Sequence, residues 1–125
     1  MRISESMIRY YLDTVTVGYF DEHDLPADDV RGYDDYIRTL KQKAVKHHDM
    51  DALRVALAYL LSSEGLDLAA FNGGRYPFDD AEMREIVRHA YEVLFAADEG
   101  LPETDLSSVE LVQMPVEEWW RERPG

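Results

Sequence analysis

The chain has 125 residues, no cysteine, and 26 acidic against 13 basic side chains, a formal charge of −13. Disulfides, thiolate metal sites and a thiol nucleophile are excluded, and so strong a negative field argues against direct nucleic-acid binding. At this length a single domain, 1–125, is expected, burying roughly two thirds of its unfolded surface, with 98–125 as a docked C-terminal arm. The N-terminal MRISESMIRYY has no apolar core of a signal peptide, and the longest apolar run is too short to span a bilayer. A cytoplasmic protein without a membrane partner is the expectation.

The first element is Ser4–Phe20. Ile8, Tyr11, Leu12, Val15 and Tyr19 trace one helical face, and Ser4 or Ser6 is suited to cap it. The β-branched run Thr14-Val15-Thr16-Val17 supports a strand instead, but the helical period covers more residues. Asp21–Gly32 reads as an acidic, solvated linker, with a turn of helix at Ala27–Arg31 capped by Asp28.

Tyr33–His47 is the next helix. Its stripe is Tyr33, Tyr36, Ile37, Leu40 and Ala44, with Asp34 and Asp35 at its start and Lys41, Lys43 and Lys46 towards its end, which complements the macrodipole. Asp49 then reads as the N-cap of Asp49–Ser63, a helix apolar at every position from Val55 to Leu61. Such a helix is buried on most faces, so the other elements are expected to pack around it. The short joint at His47-His48 predicts that the two helices lie antiparallel as near neighbours.

Leu66–Phe78 holds a short docked turn, then Asn72-Gly73-Gly74, where two glycines permit positive φ. Asp79–Ala97 is a further helix, with Asp79 or Asp80 as cap. Met83, Ile86, Val87, Ala90, Tyr91 and Leu94 form its inner stripe, Glu82, Glu85, His89 and Glu92 lie outside, and Asp80–Arg84 makes an i, i+4 pair. Gly100 and Pro102 stop it. Val109–Met114 reads as a short strand or extended arm, with Thr14–Phe20 as one partner it could pair with. Pro115 opens a last helix, Val116–Arg123, carrying Trp119 and Trp120. The fold class is mainly α: a small bundle of about four main helices, a glycine-rich loop and a C-terminal arm.

The charge is uneven. Residues 1–48 carry net −2, residues 49–99 net −7 and residues 100–125 net −4.

Few constellations point to chemistry. His48-Asp49 resembles the metal-binding pair of helical HD-type phosphohydrolases, which need a further His and a distant Asp; His23 and His89 are available. Here the pair is followed by Met-Asp-Ala rather than a glycine turn. If the protein holds a metal, His47, His48 and Asp49 are the ligands to examine, and a metal-dependent hydrolase is the alternative function. Asp21, Glu22, His23 and Asp24 lack the sixth-position glycine and closing Glu of a calcium loop. Glu85 and His89 share a helix face but lack a nucleophile. Asn72-Gly73-Gly74-Arg75 is placed to cradle an anion, against the competing Asp79 and Asp80.

No catalytic residue and no cofactor are expected. The leading function is an acidic protein–protein interaction module, of inhibitor, immunity or antitoxin type or a nucleic-acid mimic, binding a basic partner. Asn72, Arg75, Tyr76, Phe78, Trp119, Trp120, Asp28 and Asp29 are its candidate contacts, because exposed aromatics in loops and tails anchor interfaces and acidic groups steer a basic partner. A third reading is an oligomer joined through the C-terminal arm.

Overall fold

The computed structural model describes residues 1–95 and 105–122. The elements run β1 (Arg2–Ser4), α1 (Glu5–Thr16), α2 (Asp34–Lys46), α3 (Met50–Ser62), α4 (Asp80–Phe95), β2 (Glu110–Val112) and α5 (Val116–Glu122). Short 3₁₀ turns sit at Gly18–Asp21, Val30–Tyr33, Leu68–Phe71 and Leu106–Ser108. The expected mainly α fold is present. Ala97, Gly100, Pro102 and Arg123 lie outside the described residues.

Ser4 caps α1: its Oγ accepts the Met7 N–H at 3.1 Å. Thr14 to Thr16 stay helical despite their β-branched side chains. The Thr14 and Thr16 hydroxyls donate to the Tyr10 and Leu12 carbonyls one turn back, so the side chains find their bonds along the helix. Met7, Ile8, Tyr11, Leu12 and Val15 are buried on the expected face, and Tyr19 follows in the 3₁₀ turn.

α3 is buried as its composition demands, with Leu53, Ala56, Leu57, Ala58 and Leu60 fully covered. It packs most on α4 and also touches α1 and α2. α2 packs mainly on α1 and α4 and less on α3, despite the short joint. That joint ends α2 in a Schellman arrangement, with Asp49 N–H donating to Ala44 O at 2.8 Å and His48 N–H to Val45 O at 3.2 Å. His48 holds the left-handed position usually given to glycine, at φ 58°.

Asp79 and Glu82 form a capping box at the start of α4, each side chain accepting the other's backbone N–H, at 2.8 and 3.0 Å. Asp80 and Arg84 do pair, at 2.8 Å, but the arginine does more. Its guanidinium donates to the carbonyls of Leu60, Ser63 and Leu66, closing the C-terminal end of α3. Asp80 also accepts the Leu68 N–H at 2.7 Å, and Arg84 together with this bond holds its carboxyl below the usual range.

β2 does not pair with Thr14–Phe20, which is helix and 3₁₀ turn. It pairs in parallel with β1, Arg2 opposite Glu110, Ile3 opposite Leu111 and Ser4 opposite Val112. Ser4 Oγ also donates to the Met114 carbonyl at 2.6 Å. One hydrophobic cluster takes in residues from β1, all five helices and the start of the arm.

Candidate functional site

The glycine loop and the acidic linker meet. Arg75 of the glycine loop donates to Asp21 Oδ1 at 3.0 Å and to the Phe20 carbonyl at 2.8 Å. Phe20 stacks on Tyr76, ring centroids 5.3 Å apart, and both rings touch Phe78. Tyr19 links this cluster to Tyr33, Tyr36 and His23, its ring stacked on His23 at 4.0 Å. The acidic linker is thus pinned by an aromatic layer and one ion pair.

The glycine loop is closed on itself. Asn72 accepts the Gly74 N–H and donates to the Phe78 carbonyl, at 2.8 and 3.1 Å. Gly73 and Gly74 both have positive φ. A Cβ on Gly73 would stand 2.5 Å from Val17 Cγ2 and 2.8 Å from Asp13 Oδ1, so the loop backbone lies directly on α1. The Arg75 guanidinium and the Asn72 amide are engaged within the chain, which leaves an anion little to bind there.

Two depressions flank this layer. The larger, about 520 Å³, lies along α1 and α2 and is lined by Tyr10, Asp13, Val17, Glu22, Tyr36 and Lys43 among others. Most of its charges have partners. Glu22 accepts the Tyr36 O–H at 3.0 Å, and the Lys43 ammonium donates to Thr14 and lies over the Tyr10 ring. Asp13 Oδ1 is buried and has no hydrogen-bond partner among the described residues. Burial pushes its carboxyl up, against the opposing pull of Arg9.

The smaller depression, about 100 Å³, lies between the acidic linker and α4. Val30, Tyr33, Phe78 and Ile86 are its apolar lining residues, and Asp28, Glu82 and Glu85 bring its charge; among the described residues no basic side chain lines it. The linker's turn of helix is Val30–Tyr33, and Asp29, not Asp28, caps it by accepting the Arg31 N–H at 2.9 Å. The Arg31 guanidinium also pairs with Asp29 and holds its carboxyl below the usual range. Asp28 and Glu85 are exposed and make no hydrogen bond or ion pair with a described residue. His89 is not on a solvated face with Glu85; it is half-buried and bonded to Asp34 Oδ1 at 2.6 Å.

The tryptophans are elsewhere. Asp49 stands at the N-cap position of α3 but makes no side-chain cap bond. It is fully buried, and its carboxylate accepts three donors: Tyr11 O–H at 2.6 Å, Trp119 Nε1 at 3.0 Å and Trp120 Nε1 at 2.8 Å. Burial first, then the hydrogen bond to Asp49, pushes the Tyr11 phenol far above its ordinary value. Trp119 is buried; Trp120 is half-buried, stacked on His47 at 3.7 Å and edge-on to Tyr10. The arm thus docks on its own core.

This knot went unread in the sequence, where Asp49 looked like an ordinary cap. The only signal was its coincidence with two indoles 70 and 71 positions away. His47, His48 and Asp49 do not form a metal set: among the described residues no three His, Asp or Glu side chains converge on one ion position. Nor is any described helix long and apolar enough to cross a membrane. No family model, no curated protein and no solved structure matches this chain.

Proposed function

We propose that this protein is a non-enzymatic, acidic interaction module that binds a basic protein partner, in the manner of a small inhibitor, immunity protein, antitoxin or nucleic-acid mimic. The observation that carries this reading is the end of the molecule where the acidic linker meets α4. Asp28 and Glu85 are exposed there and unpaired with any described residue, beside half-buried Val30 and over the buried Phe78 and Ile86. Uncompensated carboxylates suit a partner that brings cations, because their charge steers the encounter. A net charge of −13 extends that steering beyond the contact itself.

The test is retention of proteins from source-cell lysate on the immobilised chain at low and at high salt, with mass spectrometry of what is held. One basic protein retained at low salt and weakened at high salt is the expected result, since exposed charges are screened within about 10 Å at 0.1 M salt. Retention of nothing specific at either salt refutes the reading.

A further inference from the structure

We infer that the groove along α1 and α2 is a binding site for a free basic α-amino acid, an inference that stands apart from the function proposed above. Size admits a ligand of this class. The groove's volume of about 520 Å³ lies within the roughly 300–1,000 Å³ of small-molecule sites.

Charge then selects it. Asp13, Asp21, Glu22 and Lys43 are the charged residues of the lining. Asp21 is neutralised by the Arg75 guanidinium, which reaches it at 3.0 Å from the glycine loop. The other three have no counter-charge in contact among the described residues. Glu22 accepts the Tyr36 O–H, Lys43 donates to Thr14 Oγ1 at 3.3 Å, and Asp13 Oδ1 is buried without a hydrogen-bond partner. Arg9, the cation one turn before Asp13, is spent on Glu5 and the Ala70 carbonyl. Two acids and one base therefore wait at one groove. A basic α-amino acid carries the reverse set, two cations and one carboxylate.

The three charges also stand in the order such a ligand needs. Lys43 marks one end, bonded to Thr14 and lying over the Tyr10 ring. Asp13 is next to Thr14 on α1, as the α-ammonium of an amino acid is next to its α-carboxylate. Glu22 marks the other end with Tyr36, whose ring adjoins Gly18. Tyr36 and Lys43 are seven positions apart on α2, about 10 Å along the helix, a gap for a long side chain to cross. The hydroxyls agree. Thr14, Tyr36 and Thr39 donate to Tyr10 O, Glu22 and Asp35 O, so towards a ligand their oxygens are left as acceptors. The ligand's carboxylate is thus assigned to Lys43, its α-ammonium to Asp13 and its side-chain cation to Glu22.

The experiment is an NMR titration of the isotope-labelled chain with L-lysine and L-arginine. Both should shift the amides of Asp13, Val17, Gly18, Glu22 and Lys43, saturating at about millimolar concentration or below. Three analogues of lysine each lack one charge: cadaverine the carboxylate, ε-aminocaproate the α-ammonium and norleucine the side-chain cation. Each should bind at least about fivefold more weakly than lysine, as suits the loss of one partly exposed ion pair. Every preference has its own variant. Lysine should lose its advantage over cadaverine in Lys43→Met, over ε-aminocaproate in Asp13→Asn, and over norleucine in Glu22→Gln. Glu22→Gln keeps an acceptor for the Tyr36 O–H, and unchanged amides outside the groove check that each variant is folded.

Absence of a saturating shift with lysine or with arginine overturns the site. Equal binding of lysine and any one analogue overturns the match of three charges, as does a preference that survives in its own variant. The three variants are independent, so if one fails to fold the other two still decide.

Discussion

The Asp49 knot makes a sharp prediction, because its nearest isostere should fail. Both indole nitrogens can only donate, and they approach different oxygens: Trp119 meets Oδ1 and Trp120 meets Oδ2. Asn at this position replaces one oxygen with an NH₂ group, so whichever way the amide turns, one indole N–H faces another donor. The Tyr11 hydroxyl can rotate to accept; an indole cannot. A charge-assisted hydrogen bond contributes about 1.5–3 kcal/mol, and a donor left unsatisfied in the interior costs about 1–3 kcal/mol. Asp49→Asn should therefore destabilise the fold by about 2–4 kcal/mol, more than most single substitutions. The chain has two tryptophans, both in this knot, so intrinsic fluorescence reports on it without a label. Urea denaturation followed by tryptophan emission should give a lower midpoint for the variant, with a red-shifted native spectrum. A midpoint stability within about 0.5 kcal/mol of wild type, with unshifted emission, would show that the carboxylate does not hold the arm.

Other expectations follow from single contacts. Arg84→Lys, which keeps the charge but cannot serve Asp80 and three carbonyls together, should cost about 1–3 kcal/mol in chemical denaturation; a neutral result would remove Arg84 as the closure of α3. Gly73→Ala should cost about 1–3 kcal/mol by the same measurement, because φ is 81° and the added Cβ meets Val17 at 2.5 Å, while wild-type stability would mean the loop yields freely. Tyr11 keeps its proton in the fold where the unfolded chain loses it, near pH 10. Its contribution is therefore complete below that pH and is lost above it, by up to about 1.4 kcal/mol per pH unit, and Tyr11→Phe should flatten the fall in urea midpoint between pH 9 and 11.

Local signals carried the helices and failed where distant groups compete. The stripes of α1, α2 and α4, the apolar α3 and the short strand near Glu110–Val112 were legible, because burial at helical spacing depends on one neighbour being apolar, whichever it is. The partner of that strand was not legible. Three residues carry too little pattern to name a partner, and β1 lies more than a hundred positions away at the far end of the chain. Asp28 is the cap expected from sequence, but the carboxylate that accepts the Arg31 N–H is that of its neighbour Asp29, and spacing alone does not separate two adjacent acids. Asp80–Arg84 looked like a surface pair of small worth, since spacing reveals the helix neighbour but not the carbonyls of Leu60, Ser63 and Leu66 that the same guanidinium reaches. For the candidate contacts, the sequence gathered loop and tail aromatics into one set, and the fold divides them. Tyr76 and Phe78 lie beside the acidic linker, whereas Trp119 and Trp120 are held at Asp49.

That division explains how a chain with twice as many acids as bases places its charge. Arg9, Arg31, Arg38, Arg75 and Arg84 each pair with a carboxylate, and those of Arg75 and Arg84 also tie loops to the body. Cations used this way neutralise locally and fix geometry, so the surplus of acids is left to other positions. One acid, Asp49, goes inside, where three donors offset the loss of water that a buried carboxylate otherwise suffers. Others stay outside, and self-repulsion among them costs stability. The cost would fall if the linker carboxylates were spread evenly over the surface. Instead Asp28, Glu82 and Glu85 line one depression, beside the capping box, the Asp29 turn and the Phe20–Tyr76 stack. Repulsion concentrated there is relieved by any cation that comes close, and salt should weaken it by screening.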